Sequence, residues 1–162
     1  MIRRLSLLLL VVGGCTGSDA DSDAPVASEG TLSMLTYNVQ GLPDALADSD
    51  RPTLERMEAI APLLEPFDII GLQEDFAPDF HAALTDTPHA ETHWFDDTVD
   101  ANRVYGAGLT FLSYPVTSAY DEDHYAECNG VLDGASDCLA SKGWQRITLQ
   151  LGTGQLSIFN IQ

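Results

Sequence analysis

Hydrophobic and polar positions alternate along Leu32–Val39 (LSMLTYNV), with Leu32, Met34 and Thr36 on one face and Leu35, Tyr37 and Val39 on the other. A period of two predicts a strand, ending at Asn38 and the turn Gln40-Gly41-Leu42-Pro43. A second apolar stretch, within Phe67–Phe76 (FDIIGLQEDF), does not alternate. Ile69 to Leu72 form a nearly unbroken run, as in a strand buried on both faces, and Gln73, Glu74 and Asp75 follow it directly. Between the two, Leu54, Met57, Ile60, Ala61 and Leu64 recur at helical spacing. They predict a helix over Ser49–Leu64, capped by Asp50 with Pro52 in its first turn. Pro62 predicts a kink or an early end.

Further on, Ala77–Leu84 reads as a short helix started by Pro78, and Thr85–Asn102 as a polar loop holding His89, His93 and Trp94. Gly108–Ser113 (GLTFLS) is a strand stopped by Pro115, and Tyr114–Ser141 a long functional loop. Trp144–Leu151 and Gln155–Asn160 read as paired strands around Gly152-Thr153-Gly154. Strand, helix and buried strand in succession make an α/β pattern.

The first thirty residues change the picture. Residues 1–14 carry Arg3 and Arg4, then an apolar run from Leu5 to Val12 too short to cross a bilayer. This is the layout of an export signal. Val12-Gly13-Gly14-Cys15 resembles a bacterial lipoprotein cleavage box, which predicts a lipidated Cys15, membrane attachment through that lipid, and a place in the cell envelope or on its surface. Residues 15–30, rich in Ser, Asp, Ala and Gly, read as a flexible tether, leaving 31–162 as the domain. In an exported chain the remaining pair, Cys128 and Cys138, predicts one disulfide.

The chain carries 25 acidic against 7 basic residues, a net charge of −18, and Lys142 is its one lysine. No basic stripe is present of the kind that grips nucleic acid. That favours a phospholipid headgroup over DNA among phosphodiester substrates, although a bound cation can supply positive charge locally.

The stretches TYNVQGLP and DIIGLQE together resemble the opening motifs of the endonuclease/exonuclease/phosphatase superfamily, the DNase I-like metal phosphodiesterases. The resemblance implies an α/β (α+β) fold, a four-layer β-sandwich flanked by helices. It implies that Glu74 ligates Mg²⁺ or another divalent cation, and that Asn38 contacts the metal or the scissile phosphate. GLTFLS matches a further segment in order and form. The stretch DCLASKG, from Asp137 to Gly143, with the cysteine upstream, is similar to the neutral sphingomyelinase branch.

The resemblance covers Leu32 to Gln162, about the first half of such a domain. Asn160 matches the start of an Asn-Thr-His segment and is a candidate phosphate or substrate contact, but Ile161 and Gln162 stand where Thr and His would follow. The later Gly-Asp-x-Asn and terminal Asp-His motifs, which would follow this strand and supply the base and further ligands, are not present. An incomplete domain, inactive by itself, is therefore expected, with the apolar face of Ile69–Leu72 uncovered. The alternative is a non-catalytic surface lipoprotein that uses this half of the fold as a binding or structural module.

Overall fold

The computed structural model describes residues 3–7, 30–47, 49–128, 130 and 137–162. Cys15 and nearly all of the 15–30 tether lie outside these residues. Among these residues, two sheets and two α-helices build a mixed α+β sandwich. The strands of the first sheet are β1 (Arg3–Leu7), β2 (Leu32–Asn38), β3 (Ile69–Gln73), β4 (Glu91–Phe95) and β5 (Leu109–Ser113), in the spatial order β1-β2-β3-β5-β4. The second sheet holds β6 (Ala119–His124), β7 (Gly143–Leu151) and β8 (Gly154–Ile161) in chain order. Helix α1 (Thr53–Leu64) crosses between parallel β2 and β3, and α2 (Pro78–Leu84) follows β3.

The two sides of β3 explain its unbroken apolar run. Ile70 and Leu72 face the helices, packed with Leu35, Met57, Leu64, Leu84 and Leu112. Ile69 faces the second sheet, packed with Phe111, Ile147 and Leu149. Each such side chain contributes roughly 1.5–3 kcal/mol on leaving water. The uncovered face expected for Ile69–Leu72 is therefore not found: β6, β7 and β8 supply the covering sheet, and Ile69, Ile70 and Leu72 are fully buried.

Several sequence expectations need correction. Helix α1 starts at Thr53, and Asp44 rather than Asp50 serves its first turn, accepting the Thr53 N–H at 2.6 Å. Leu54 is exposed, and buried Thr53 takes its place on the inner face. The helix passes Pro62 and ends two residues later, since a proline so near the C-terminus removes one hydrogen bond without breaking the preceding turns. The segment read as a polar loop contains β4, and the long loop after Pro115 contains β6. The hairpin of β7 and β8 is as expected, with Gly152 in the left-handed region (φ 60°) at its turn. The expectation set residues 1–14 apart from the fold; the backbone of Arg3–Leu7 lies antiparallel along β2.

Candidate functional site

Asn38 and Glu74 meet where β2 and β3 end. The parallel register sets Asn38 opposite Gln73, and the Val39 N–H closes the ladder on the Gln73 carbonyl at 2.9 Å. Alternation should then send Glu74 away from the side that Gln73 faces. Instead Glu74 has φ 62°, a left-handed conformation uncommon for a residue with a side chain. That breaks the alternation and lets its carboxylate reach sideways to Asn38, whose Nδ2 donates to Oε1 at 2.8 Å.

The turn after β2 completes the arrangement. Gln40 is also left-handed (φ 54°), and its N–H donates to Asn38 Oδ1 at 2.9 Å. The Gly41 N–H donates to the Glu74 carbonyl at 2.9 Å. A Cβ at Gly41 would stand 2.2 Å from that carbonyl oxygen, so only glycine permits the approach. The Asn38 amide is therefore held from one side by the turn and aimed at the carboxylate on the other.

Asn160 lies close by, but inside. It is 4% exposed, and its Nδ2 donates to the Leu72 carbonyl at 2.8 Å, with the Thr110 carbonyl and Gln145 Oε1 also within reach. Its Oδ1 accepts from Gln73 Nε2, which also meets Thr36 Oγ1 at 3.2 Å. Gly71 leaves room for this amide, since a Cβ there would lie 3.1 Å from it. Asn160 thus forms the floor between the sheets and touches the site through Gln73, next to Glu74. Sequence reading missed Gln73 and Gln145. The inward places of Gly143, Ile147 and Leu149 along β7 put Gln145 inside as well, and a buried glutamine on such a strand was the available signal.

Asp75 goes to the helix-covered side of the sheet. It is fully buried, accepts from Thr110 Oγ1 at 2.7 Å, and lies 2.6 Å from His81 Nδ1. His81 stacks on Trp94, whose indole N–H donates to the Asp75 carbonyl at 2.9 Å. Asp75 Oδ1 and Asp96 Oδ1 are both buried without a hydrogen-bond partner. Burial, then the charge of Asp75, pushes the Asp96 carboxyl up to about 7 despite a bond from the Gly108 N–H.

The other histidines are committed elsewhere. His89 bonds Thr87 and the Phe67 carbonyl, His93 stacks on Tyr120, and His124 meets the Ser141 carbonyl and packs on Phe95. Cys128 and Cys138 form the expected disulfide. Within DCLASKG, the Ser141 hydroxyl accepts the Val99 N–H at 3.1 Å, which ties this stretch to the 99–106 loop.

Among the described residues no three His, Cys, Asp or Glu side chains come together to hold a metal. Glu74 nonetheless suits one: it is a hard oxygen donor, half-buried, with one oxygen fixed by Asn38. Mg²⁺ is commonly held by one or two carboxylates, the remaining positions being water and substrate phosphate. The residues therefore fit part of a Mg²⁺ site.

No family model and no curated protein matches the chain. Solved structures do. Sphingomyelinase C from Streptomyces griseocarneus matches with a TM-score of 0.60 at 19% identity, over 81% of this chain and 48% of that one. A hairpin-deletion mutant of beta toxin from Staphylococcus aureus matches at 0.63 and 13%, over 81% and 50%. A beta toxin double mutant with bound magnesium ions matches at 0.63 and 10%, over 81% and 49%. The chain thus spans about half the length of the solved structures it matches, and over that half it has the fold of the sphingomyelinase and beta toxin structures.

Proposed function

We propose that the chain carries one half of a divalent-metal-dependent phosphodiesterase site, directed at a phospholipid headgroup such as that of sphingomyelin. The observation that carries this reading is the Asn38–Glu74 side-chain pair, held by two left-handed residues at the ends of adjacent parallel strands. Left-handed backbone of this kind costs roughly 1–3 kcal/mol per residue and clusters where geometry serves function. The likeness of the fold to structures named sphingomyelinase and beta toxin supports the substrate class, and the acidic composition argues against nucleic acid.

Glu74 would hold Mg²⁺, which when bound supplies positive charge to a phosphate oxygen. Asn38 fixes the carboxylate and presents an exposed amide beside it, within reach of either the metal or the scissile phosphate. Asn160 acts on substrate through Gln73 and the strand end. The four described histidines are engaged by other groups, and the role proposed for Asn38 and Glu74 is to bind and orient. Attachment to a membrane through an acylated Cys15 belongs to the same reading. Mass spectrometry of the mature protein tests it, and an unmodified Cys15 would remove it.

The second reading, a non-catalytic binding or structural module, draws on the absence of a three-ligand cluster among the described residues. Titration of the chain with Mn²⁺, followed by loss of the free-ion paramagnetic signal, separates the two. Saturable binding displaced by Mg²⁺ supports the half-site; no binding at millimolar Mn²⁺ supports the module. We expect no hydrolysis of sphingomyelin vesicles or DNA by these 162 residues alone. Robust Mg²⁺-dependent turnover would overturn the half-site description.

A further inference from the structure

Helix α1 sends one side chain to the turn that aims Asn38. Arg56 donates from Nη1 to the Val39 carbonyl at 3.2 Å and from Nη2 to the Gln40 carbonyl at 2.9 Å. Nη2 also meets Thr53 Oγ1 at 3.2 Å. Thr53 in turn donates its hydroxyl to the Leu42 carbonyl at 2.8 Å and its N–H to Asp44. The first turn of α1 is thereby stapled to the whole 39–44 segment.

Neither the helix nor the core accounts for this arginine. A cation near a helix N-terminus opposes the macrodipole, and Arg56 Nε is buried without a partner. What the residue gains is a fork of donors on consecutive carbonyls of one turn. A lysine ammonium, a compact point charge, does not reproduce that planar geometry.

The turn so gripped contains both links to the site. Gln40, held left-handed, donates its N–H to Asn38 Oδ1, and Gly41 donates to the Glu74 carbonyl. We propose that Arg56 is a positioning residue for the Asn38–Glu74 pair: by clamping the Val39 and Gln40 carbonyls it sets where the Asn38 amide and the Glu74 carboxylate meet. This rests on the metal-site reading above for its consequence, though not for its geometry. Groups that orient a metal ligand typically contribute 10–100-fold to metal affinity.

The test uses the full ¹⁵N-labelled chain and its Arg56→Lys and Arg56→Gln variants, with amide spectra recorded first without metal and then during Mn²⁺ titration. Both variants should keep the backbone signals of β3, β5 and β7. They should shift the Asn38 side-chain amide and Gly41 N–H signals, and weaken Mn²⁺ binding about tenfold or more, with Lys less affected than Gln. Unchanged Asn38 and Gly41 signals in Arg56→Gln would overturn the proposal. So would loss of spectral dispersion throughout both variants, because the arginine would then hold up the fold and not the turn. If the wild-type chain binds no Mn²⁺, the metal-site reading fails, and the metal-free Asn38 and Gly41 signals still decide the role of Arg56.

Discussion

Glu74 and Asp75 are consecutive carboxylates at the end of β3, and the fold sends them to different surroundings. Glu74 turns left-handed toward Asn38 at the mouth between the sheets, with one side-chain hydrogen bond drawn to it. Asp75 turns inward under α2, fully buried, with Thr110, His81 and Trp94 around it. Chemistry of type alone would not separate them. The separation comes from a backbone φ of 62° at Glu74 and from how many donors meet each carboxylate. Both carboxylates are bonded through a single oxygen, but Asp75 is closed off with two donors on Oδ2, whereas Glu74 is only partly buried and receives one.

The comparison breaks first at Asp75. Asp75→Ala removes the acceptor for Thr110 Oγ1 and the partner of His81, and leaves both in a closed space. Each donor left without its acceptor in a largely buried place costs about 1–3 kcal/mol. Urea unfolding followed by the fluorescence of Trp94 and Trp144 should show this loss. A change below about 1 kcal/mol would mean that the cluster does not anchor the sheet. The same truncation at Glu74 should be much milder.

The disulfide offers a second contrast, because it stabilises by closing a loop and not by meeting a carboxylate. Reducing Cys128–Cys138, which closes a ten-residue separation, should lower stability by roughly 2–3 kcal/mol on the chain-entropy account. Mn²⁺ binding should be unaffected below the unfolding transition. A parallel loss of binding would show that the 128–138 loop supports the site.

These contrasts bear on what could be seen in the chain itself. The apolar runs of β3 and β5 and the β7–β8 hairpin were legible because both faces, or a glycine turn, leave a mark in the residues. Strands β4 (ETHWF) and β6 (AYDEDH) were not. They are outer strands with polar and charged side chains, and β6 earns its place by pairing, as in Asp121 with Arg146. The helix start was misjudged because its partner, Asp44, sits nine residues before Thr53 in the chain. Asn38 and Glu74 stood out through resemblance to known motifs. The network beneath them did not, since Gln73 and Asn160 are 87 residues apart and their contact depends on the two sheets facing each other.

Asp96 sharpens the comparison through pH. Its carboxyl titrates near 7 in the fold, raised above its usual value of 3.8 by burial and then by Asp75. The folded state therefore holds this proton more tightly than the unfolded chain does. The associated stability is fully present below about pH 4 and is lost as pH rises from there through about 7. Asp96→Asn should remove that slope and leave the variant more stable than wild type at pH 8, the gain being reduced because Asp96 is only half-buried. Stability curves of the two proteins from pH 4 to 8 decide. Parallel curves would mean that Asp96 is not held protonated beside Asp75.

The smallest effect on stability is expected at Glu74, and it carries the largest consequence for the site. Glu74→Gln keeps an oxygen that can accept from Asn38 Nδ2, so the contact at the strand ends survives and stability should change by no more than about 0.5 kcal/mol. What it removes is the negative charge that a hard cation requires of its oxygen ligand. Mn²⁺ and Mg²⁺ affinity should fall by about tenfold or more while urea midpoints coincide. If affinity and stability fall together, Glu74 is an anchor like its neighbour and the division between the two carboxylates is lost. If neither changes, Glu74 is a solvated strand end, and the left-handed turn that presents it needs another explanation.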